Sequence, residues 1–337
     1  MVIDRAQAKS SAGFRGPHRP EMPRSAHLCT GQRQGYARAM RTVFREEPCR
    51  SALNQVRGMP FRWSLNPYMG CAHRCTFCYV RAFEARADRP ADDRYGRSVR
   101  VKVNIAEVLA RELARPSWSR EQVVIGAATD PYQAAEGRYR LTRACIRLLA
   151  EHGTPLGIIT RGPLVVRDLD VLQAAARRVA VSVHLSIPSL DERVWRTTEP
   201  GTAPPCQRLR ALRLLREGGV RVGVAMAPIL PGISDSPESM AAVVRAAREA
   251  GAVSLWSELL HLRPGTREHF LAHLARDWPE ELARYQRLYR TRAYLTGRER
   301  EAVRDQLAAI KRTTPTRMHP VPLIEPPPEP EQLDLAI

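Results

Sequence analysis

A pattern of helix, glycine and apolar run occurs three times in the chain and constrains the fold more than any other feature. The copies read AEHGTPLGII, REGGVRVGV and REAGAVSLW and begin at Ala150, Arg216 and Arg248. In each copy the glycine ends a segment with helical spacing of apolar residues, and the run that follows is short enough for a buried strand. Alternating helices and buried strands predict a parallel sheet covered by helices.

Six apolar runs are the predicted strands of this sheet. They lie at 61–70, 123–130, 155–162, 179–187, 220–230 and 252–262. This number is too small for a full eight-fold barrel, so we predict an α/β fold built on a partial (β/α)6 TIM-type barrel. A doubly wound sheet has the same local pattern and stays open as the alternative. In the barrel, the active site is expected at the carboxyl ends of the strands.

Segments of different composition flank the predicted barrel, which takes residues 56–264. Residues 1–55 are basic and aperiodic and are predicted to form a flexible N-terminal arm. A C-terminal helical extension is predicted at 265–313, and residues 314–337 are predicted to form a proline-rich, acidic, extended tail.

The charge of the chain is strongly positive, with 53 Lys and Arg against 35 Asp and Glu and a net charge of +18. Such an excess is compatible with nucleic-acid binding, although most of these arginines lie at ordinary predicted helix positions. The chain begins without an apolar secretory segment, and its most apolar stretch, 222–230, is too short to span a bilayer. We expect a soluble, cytoplasmic protein with no membrane partner.

Three of the seven cysteines, Cys71, Cys75 and Cys78, lie within eight residues directly after the first predicted strand. An odd cysteine count without a secretory segment argues against a disulfide framework. Thiolates bind zinc or iron–sulfur clusters, and three on one loop can bind three irons of a cubane and leave the fourth iron open. A structural zinc site needs a fourth ligand, and the nearby candidate, His73, lies inside the same loop.

A pair of histidines, His269 and His273, forms an HxxxH motif in the predicted helical extension. Residues four apart lie on the same face of a helix. Because the pair is far along the chain from the cysteine loop, we interpret it as two histidines on one helix face.

The CxxxCxxC spacing, with Phe77 just before the last cysteine, resembles the signature of the radical S-adenosylmethionine (SAM) superfamily. The surrounding NPYMGCAHRCTFCYV, with TDPYQAAE and ITRGPLVVRDLD downstream, resembles the branch related to spore photoproduct lyase. This likeness covers about residues 60–265. It implies that Cys71, Cys75 and Cys78 bind a 4Fe-4S cluster whose open iron is chelated by SAM. It also implies reductive cleavage of SAM to a 5′-deoxyadenosyl radical that abstracts hydrogen from the substrate, with an electron donor such as a ferredoxin or flavodoxin.

The resemblance further implies SAM contacts at the ends of successive strands. These are Phe77 beside the adenine, Thr129 and Asp130 at the amino group or ribose, Arg161 at the carboxylate, and Ser186 near the methionine or ribose. Each residue alone has an ordinary interpretation; Thr129 and Asp130, for example, precede Pro131 and are typical of a turn. Their shared position at strand ends is what favours a SAM site.

Tyr79 matches a tyrosine that is implicated in hydrogen transfer in the lyase, so the resemblance implies a catalytic role for it. An amphipathic tyrosine at the rim of the cluster is an equal alternative. The hydrogen-donating cysteine of the lyase has no counterpart, because the matching stretch contains Ala127 and Ala128. We therefore expect no repair of spore photoproduct by the lyase's own thiol relay.

The sequence thus predicts a radical SAM enzyme of the lyase or modification type with an undetermined substrate. The resemblance and the charge make a nucleic acid one candidate, as in a DNA-lesion lyase. The alternative from another class is a zinc-stabilised, basic nucleic-acid-binding protein without radical chemistry.

Overall fold

The structure is a computed structural model that describes residues 42–316 and 319–328. Its strands are β1 (Val43–Glu47), β2 (Leu53–Gln55), β3 (Trp63–Leu65), β4 (Tyr68–Met69), β5 (Ser98–Lys102), β6 (Val123–Ile125), β7 (Leu156–Thr160), β8 (Val181–Ser186), β9 (Val222–Ile229) and β10 (Ser254–Leu259). Its helices are α1 (Arg81–Arg86), α2 (Ile105–Leu113), α3 (Ala134–Tyr139), α4 (Leu141–Glu151), α5 (Leu169–Ala176), α6 (Glu192–Thr198), α7 (Pro205–Glu217), α8 (Pro237–Glu249), α9 (Thr266–Asp277), α10 (Pro279–Leu288) and α11 (Gly297–Thr313). A 3₁₀ helix at Pro163–Asp168 precedes α5.

The large sheet has seven strands in the order β10-β9-β8-β7-β6-β3-β2. Six strands of this sheet pair in parallel with their neighbours: β3, β6, β7, β8, β9 and β10. The seventh strand, β2, pairs antiparallel with β3 at the edge. The six parallel strands follow one another in chain order, and the sheet is open. The prediction of a partial TIM-type barrel is confirmed, and the doubly wound alternative is wrong because the strand order never reverses.

The first two predicted strands are shorter than the sequence suggested. The run 61–70 is divided, because Pro67 has no amide hydrogen to continue the ladder after β3, and the chain enters β4 of a second sheet with the order β1-β5-β4. The run 123–130 forms a strand only as far as Ile125, because Gly126 turns the chain at a φ of +97°. The residues after β6 form a loop at the carboxyl edge of the sheet, and the residues after β3 lead through β4 to the cysteine loop.

Amphipathic helices cover the outer face of the sheet as the periodicity predicted. In α4 the side chains of Cys145, Ile146 and Leu149 are fully buried against it. The predicted serine cap of α8 is present, since the hydroxyl of Ser236 accepts a hydrogen bond from the amide of Ser239 at 3.1 Å.

The last residues of the predicted flexible arm, 1–55, belong to the folded part of the chain. Residues 43–47 and 53–55 are strands of the two sheets, and Cys49 between them exchanges two backbone hydrogen bonds with the side chain of Asn104, at 2.7 and 3.1 Å. Backbone pairing therefore fixes this segment in spite of its polar composition. Residues 1–41 of the predicted arm lie outside the described residues.

The segment after β10 forms the helices α9, α10 and α11, and the described residues 319–328 beyond them have no helix or strand. Within the described part of the tail, Ile324 packs beside Gly219 and donates its amide hydrogen to that residue's carbonyl at 2.8 Å. Glu325 pairs with Arg221 at 2.5 Å. Among the described residues, no helix combines the length and the apolar character that crossing a membrane would require.

Candidate active site

One cavity opens at the carboxyl ends of the parallel strands, where a barrel-type active site is expected. Its lining contains every residue that the sequence singled out for the site: Cys71, Cys75, Cys78, Tyr79, Phe77, Thr129, Asp130, Arg161 and Ser186. These residues come from the loops or ends of β4, β6, β7 and β8. The fold thus brings together positions that span more than a hundred residues of sequence.

Two tight turns arrange the cysteine loop. The amide of Arg74 donates to the carbonyl of Cys71 at 3.3 Å, and the amide of Cys78 donates to the carbonyl of Cys75 at 3.2 Å. Burial raises the pKa of Cys75 well above its ordinary value, and the nearby Cys78 and Cys71 raise it further. A bare thiolate at Cys75 is therefore unfavourable, and positively charged iron would compensate it, whereas His73 lowers the pKa of Cys71 in spite of burial. Three soft thiolate donors that face one cavity fit the ligand set of an iron–sulfur cluster.

The buried guanidinium of Arg81 supports the cysteine loop from behind. It donates to the carbonyl of Cys75 at 3.3 Å and to the carbonyls of Ala91 and Asp92 at 2.8 and 2.7 Å. It also lies over the ring of Tyr95, with 4.7 Å from its central carbon to the ring centroid. Arg81 thus joins the cysteine loop to the segment 88–97. Sequence reasoning missed it, because an arginine near the start of a short helix gives no signal of burial.

Gln133, at the N-terminal end of α3, also holds the cysteine loop by hydrogen bonds. Its Oε1 accepts a hydrogen bond from the amide of Ala72 at 2.9 Å, and its Nε2 donates to the carbonyl of Gly70 at 3.1 Å. Thr129 donates its hydroxyl to Gly70 at 2.8 Å and accepts from Gln133 at 2.9 Å. The hydroxyl of Thr129 therefore holds the loop. The sequence placed Gln133 in the TDPYQAAE motif but gave it no role.

The carboxylate of Asp130 is held by protein groups on both oxygens. Its Oδ1 accepts from the amide of Tyr132 and the hydroxyl of Thr160, at 2.9 and 2.7 Å. Its Oδ2 accepts from the amide of Arg161 at 2.6 Å and lies 3.3 Å from Nδ1 of His73. These contacts tie the end of β6 to the end of β7.

Asp130 and His73 form a buried ion pair. Burial opposes the charge of Asp130, but His73 and the hydrogen bonds lower its pKa to about 2. Burial likewise opposes the charge of His73, but Asp130 and Cys71 raise its pKa to about 10. A protonated imidazole has no lone pair for a metal, so this pairing disfavours His73 as the fourth ligand of a zinc site.

Arg161 reaches the cavity but is already paired. Its Nε donates to Glu199 at 2.5 Å, its Nη2 donates to the carbonyl of Ala227 at 3.0 Å, and its guanidinium lies 5.5 Å from the ring centroid of Phe77. Glu199 also lies 2.8 Å from Nη1 of Arg208. Sequence reasoning missed Glu199 and Arg208, because neither belongs to a motif or a strand end.

The hydroxyl of Tyr79 donates a hydrogen bond to the carbonyl of Ala127. Burial raises the pKa of Tyr79 above its ordinary value, as does the neighbouring Cys78. The phenol is therefore neutral. It contacts the cavity wall at Ala127, in the stretch of this chain that contains no cysteine. Among the cysteines that the structure describes, those that line the cavity are Cys71, Cys75 and Cys78.

Met59, Trp256 and His261, which the sequence did not identify, also line the cavity, and Tyr294 and Arg263 lie beside His261. Met59 and Trp256 are 52% and 38% exposed. The ring of His261 lies 5.6 Å from that of Tyr79 and stacks on Tyr294 at 5.1 Å. The guanidinium of Arg263 lies over Tyr294 at 5.7 Å. This set, Met59, Trp256, His261, Arg263 and Tyr294, is called the aromatic rim below.

Comparison with known families decides the class of this site. The model of the radical SAM superfamily matches residues 65–244, which include the cysteine loop and the ends of β6, β7 and β8. This chain belongs to the radical SAM superfamily. It is a radical SAM enzyme, and membership implies SAM and an iron–sulfur cluster as cofactors.

The chain is similar to two uncharacterized proteins. An uncharacterized protein of Mycobacterium tuberculosis is 41% identical over 288 residues, which cover 83% of this chain and 85% of the relative. An uncharacterized protein of Acidianus two-tailed virus is 31% identical over 209 residues, which cover 60% of this chain and 68% of the relative.

Structures of spore photoproduct lyase share the fold. A mutant of that lyase superposes with a TM-score of 0.62 at 15% identity, covering 79% of this chain and 78% of the lyase. Another mutant, with bound AdoMet and dinucleoside spore photoproduct, gives a TM-score of 0.61 at 15% identity and the same coverage. The fold of this chain is therefore lyase-like.

Proposed function

We propose that Cys71, Cys75 and Cys78 bind a 4Fe-4S cluster, that SAM binds beside it in the same cavity, and that the enzyme abstracts hydrogen from a substrate entering past the aromatic rim. The observation that carries this proposal is the shared cavity, in which the three thiols meet all of the predicted SAM-contact residues. When bound, the reduced cluster supplies the electron that cleaves SAM to methionine and a 5′-deoxyadenosyl radical.

The protein's own part is to hold and shield these groups. Arg81 and Gln133 fix the backbone of the cysteine loop, so that the thiols point into the cavity. Arg161 provides a guanidinium for the SAM carboxylate, and Phe77 provides a ring face for the adenine. The hydroxyl of Thr129 keeps one lone pair for the SAM amino group or ribose. Both oxygens of Asp130 already have two protein partners, so we assign Asp130 to shaping the same side of the SAM site.

We infer that the substrate is a nucleic acid. The aromatic rim offers exposed ring faces on which a base can stack, with Arg263 beside them, and the chain carries a net charge of +18 that attracts phosphates. Tyr79 lies between this rim and the cysteine loop, which suits a role in hydrogen transfer to or from a substrate radical.

The cluster proposal is tested by anaerobic purification and iron and sulfide analysis. We expect a brown protein with about four irons and four sulfides per chain, which cleaves SAM when reduced by dithionite or a flavodoxin. Cys71→Ala, Cys75→Ala and Cys78→Ala each lose the colour and SAM cleavage. The matched control is Cys49→Ala, whose thiol lies outside the cavity. A colourless protein with one zinc in place of iron would contradict the proposal.

The substrate proposal is tested by fluorescence anisotropy with labelled single- and double-stranded oligonucleotides at several salt concentrations. We expect affinity to fall steeply as salt rises and Trp256→Ala to weaken binding by about tenfold, since stacking of a base on an aromatic ring contributes roughly 1–3 kcal/mol. The control is Tyr139→Ala, an aromatic residue of α3 outside the cavity. Binding that is indifferent to Trp256→Ala would count against the rim as the substrate surface.

A further inference from the structure

Asp93, His269 and His273 form a group outside the active-site cavity, and they bring one potential metal-ligand atom each to within 4.8 Å of one another. The two histidines lie one turn apart on α9, and Asp93 comes from the segment that follows α1. Nε2 of His273 lies 3.2 Å from Oδ1 of Asp93, and Nδ1 of His269 lies 4.0 Å from the same oxygen. The HxxxH pair is thus joined by a carboxylate that the sequence did not place beside it.

These separations are close to what zinc requires. Nitrogen and oxygen ligands lie about 2.0–2.2 Å from zinc, so two ligands of a tetrahedral ion are roughly 3.3–3.5 Å apart. Small side-chain rotations therefore suffice to bring the three ligand atoms to these separations. The side chain of Asp93 is exposed and has room to rotate. Two imidazoles and one carboxylate leave a fourth position for water, which is the usual composition of a three-ligand zinc site.

The segment that carries Asp93 is already held in place. Arg81 donates to the carbonyls of Ala91 and Asp92, the two residues before Asp93. On the other side, His269 is almost completely buried and lies with its ring centroid 4.5 Å from that of His273. Both sides of the site are therefore positioned before an ion arrives, which lowers the conformational cost of binding it.

We propose that Asp93, His269 and His273 bind a divalent transition-metal ion, zinc by its ligand preferences, separate from the cluster. Such an ion links the segment 88–97 to α9. Both of these also touch the cysteine loop: the hydroxyl of Tyr95 lies 3.7 Å from Sγ of Cys78, and Thr266 at the start of α9 donates to the carbonyl of Cys78 at 3.2 Å. The ion thus connects two segments that both contact Cys78, one of the proposed cluster ligands.

One neighbour must rearrange when the ion binds. Nη2 of Arg276 lies 2.9 Å from Nδ1 of His273. If Nε2 of His273 holds the metal, Nδ1 carries the proton and no longer accepts from Arg276. The guanidinium keeps its two hydrogen bonds to Asp277, both at 2.8 Å, so the rearrangement loses a single contact.

The test uses the cluster-loaded protein, in which the active-site thiols are occupied, freed of loosely bound metal and titrated anaerobically with zinc chloride in a calorimeter. We expect one zinc per chain and a Kd that rises at least tenfold in Asp93→Asn and in His273→Ala, because loss of even an outer partner of a metal ligand costs roughly 10- to 100-fold. The control is His184→Ala, which removes an imidazole elsewhere, on β8. Asp93→Asn changes only an exposed side chain, so a folding defect does not obscure the result.

Hydrogen exchange of residues 88–97 gives a second measurement. Zinc is expected to slow exchange in this segment of the parent protein and of His184→Ala but not of His273→Ala. The absence of a one-to-one zinc site in the parent, or zinc binding of equal affinity in Asp93→Asn and His273→Ala, overturns the proposal.

Discussion

The Nε of Arg161 donates a 2.5 Å hydrogen bond to Oε1 of Glu199 in the wall of the active-site cavity. The other oxygen of Glu199 lies 2.8 Å from the fully buried Arg208, so two guanidinium groups share one buried carboxylate. One positive charge is left over. A SAM carboxylate that enters the cavity can neutralise it, and the cost of burying an unbalanced charge then falls.

Arg161→Ala is therefore expected to weaken SAM binding by about tenfold or more and to leave the iron content unchanged. The physical reason is the loss of a charge-assisted hydrogen bond, which contributes about 1.5–3 kcal/mol. Equilibrium binding of SAM to the cluster-loaded protein, with iron analysis of the same samples, measures both quantities.

The double variant Arg161→Ala with Glu199→Ala separates SAM binding from simple ion pairing. If Arg161 contacts SAM, the weak affinity persists in the double variant whatever happens to its stability. Recovery of SAM affinity when Glu199 is also removed would show that Arg161 acts by balancing Glu199 alone.

Gly96→Ala is expected to lower cluster occupancy. Gly96 has a φ of +78°, and a Cβ there would lie 2.2 Å from the carbonyl oxygen of Cys71, so the backbone of the first cysteine must shift. Gly58 is a matched control, since its φ is +75° and a Cβ there meets nothing within 4 Å. Gly58→Ala adds only about 1–2 kcal/mol of backbone strain. Iron per chain after identical reconstitution distinguishes the two, and equal iron in both variants would refute the prediction.

Gln133→Leu is expected to reduce the free energy of unfolding by about 1–3 kcal/mol and to reduce iron incorporation, because the amide of Ala72 loses its partner. The comparison variant is Gln173→Leu, which removes one hydrogen bond to the carbonyl of Gly218, away from the cysteine loop. Anaerobic urea unfolding and iron analysis give the two readouts. Full iron incorporation in Gln133→Leu would show that Gln133 does not position the loop.

Spore photoproduct is not expected to be repaired by a thiol relay of this enzyme. A hydrogen donor must lie within contact distance of the substrate radical. Ala127 and Ala128 line the cavity, Cys145 is fully buried in α4, and Cys49 is fastened to Asn104. The assay offers the reduced enzyme SAM and a dinucleoside spore photoproduct and measures restored thymines. Multiple-turnover repair by the parent enzyme that is lost when Cys49, Cys145 and Cys206 are all alanine would contradict this expectation.

The parts of the fold that local pattern controls could be predicted from the sequence. Helical spacing, closing glycines and short apolar runs located the six parallel strands, and the motif at Cys71 marked a loop that lines the candidate cavity. Strand ends were less predictable, because the turn at Gly126 and the missing amide of Pro67 interrupt runs that are apolar throughout.

Long-range pairings account for most of what the sequence did not reveal. The strand β1, VFREE, is largely exposed and lacks a clear apolar alternation, and it is stabilised by β5 more than fifty residues away. The buried Arg81 bonds to carbonyls ten and eleven residues further on, and the buried Glu199 pairs with Arg161, 38 residues before it, so the residues directly beside them do not mark their burial. The polar composition of residues 43–55 also gave no indication that this part of the predicted arm forms strands.

The hydrogen bond from Thr266 to the carbonyl of Cys78 joins residues 188 positions apart. Leu262 and Tyr289 add bonds of 2.8 and 2.7 Å between the end of the sheet and the helices after it, to the carbonyls of Ala293 and Leu260. The C-terminal helices are therefore not a detachable module. A recombinant fragment that stops near residue 265 would keep every signature cysteine and yet lose an anchor of the third one, and exchanging these helices between relatives would change the surroundings of the cysteine loop itself.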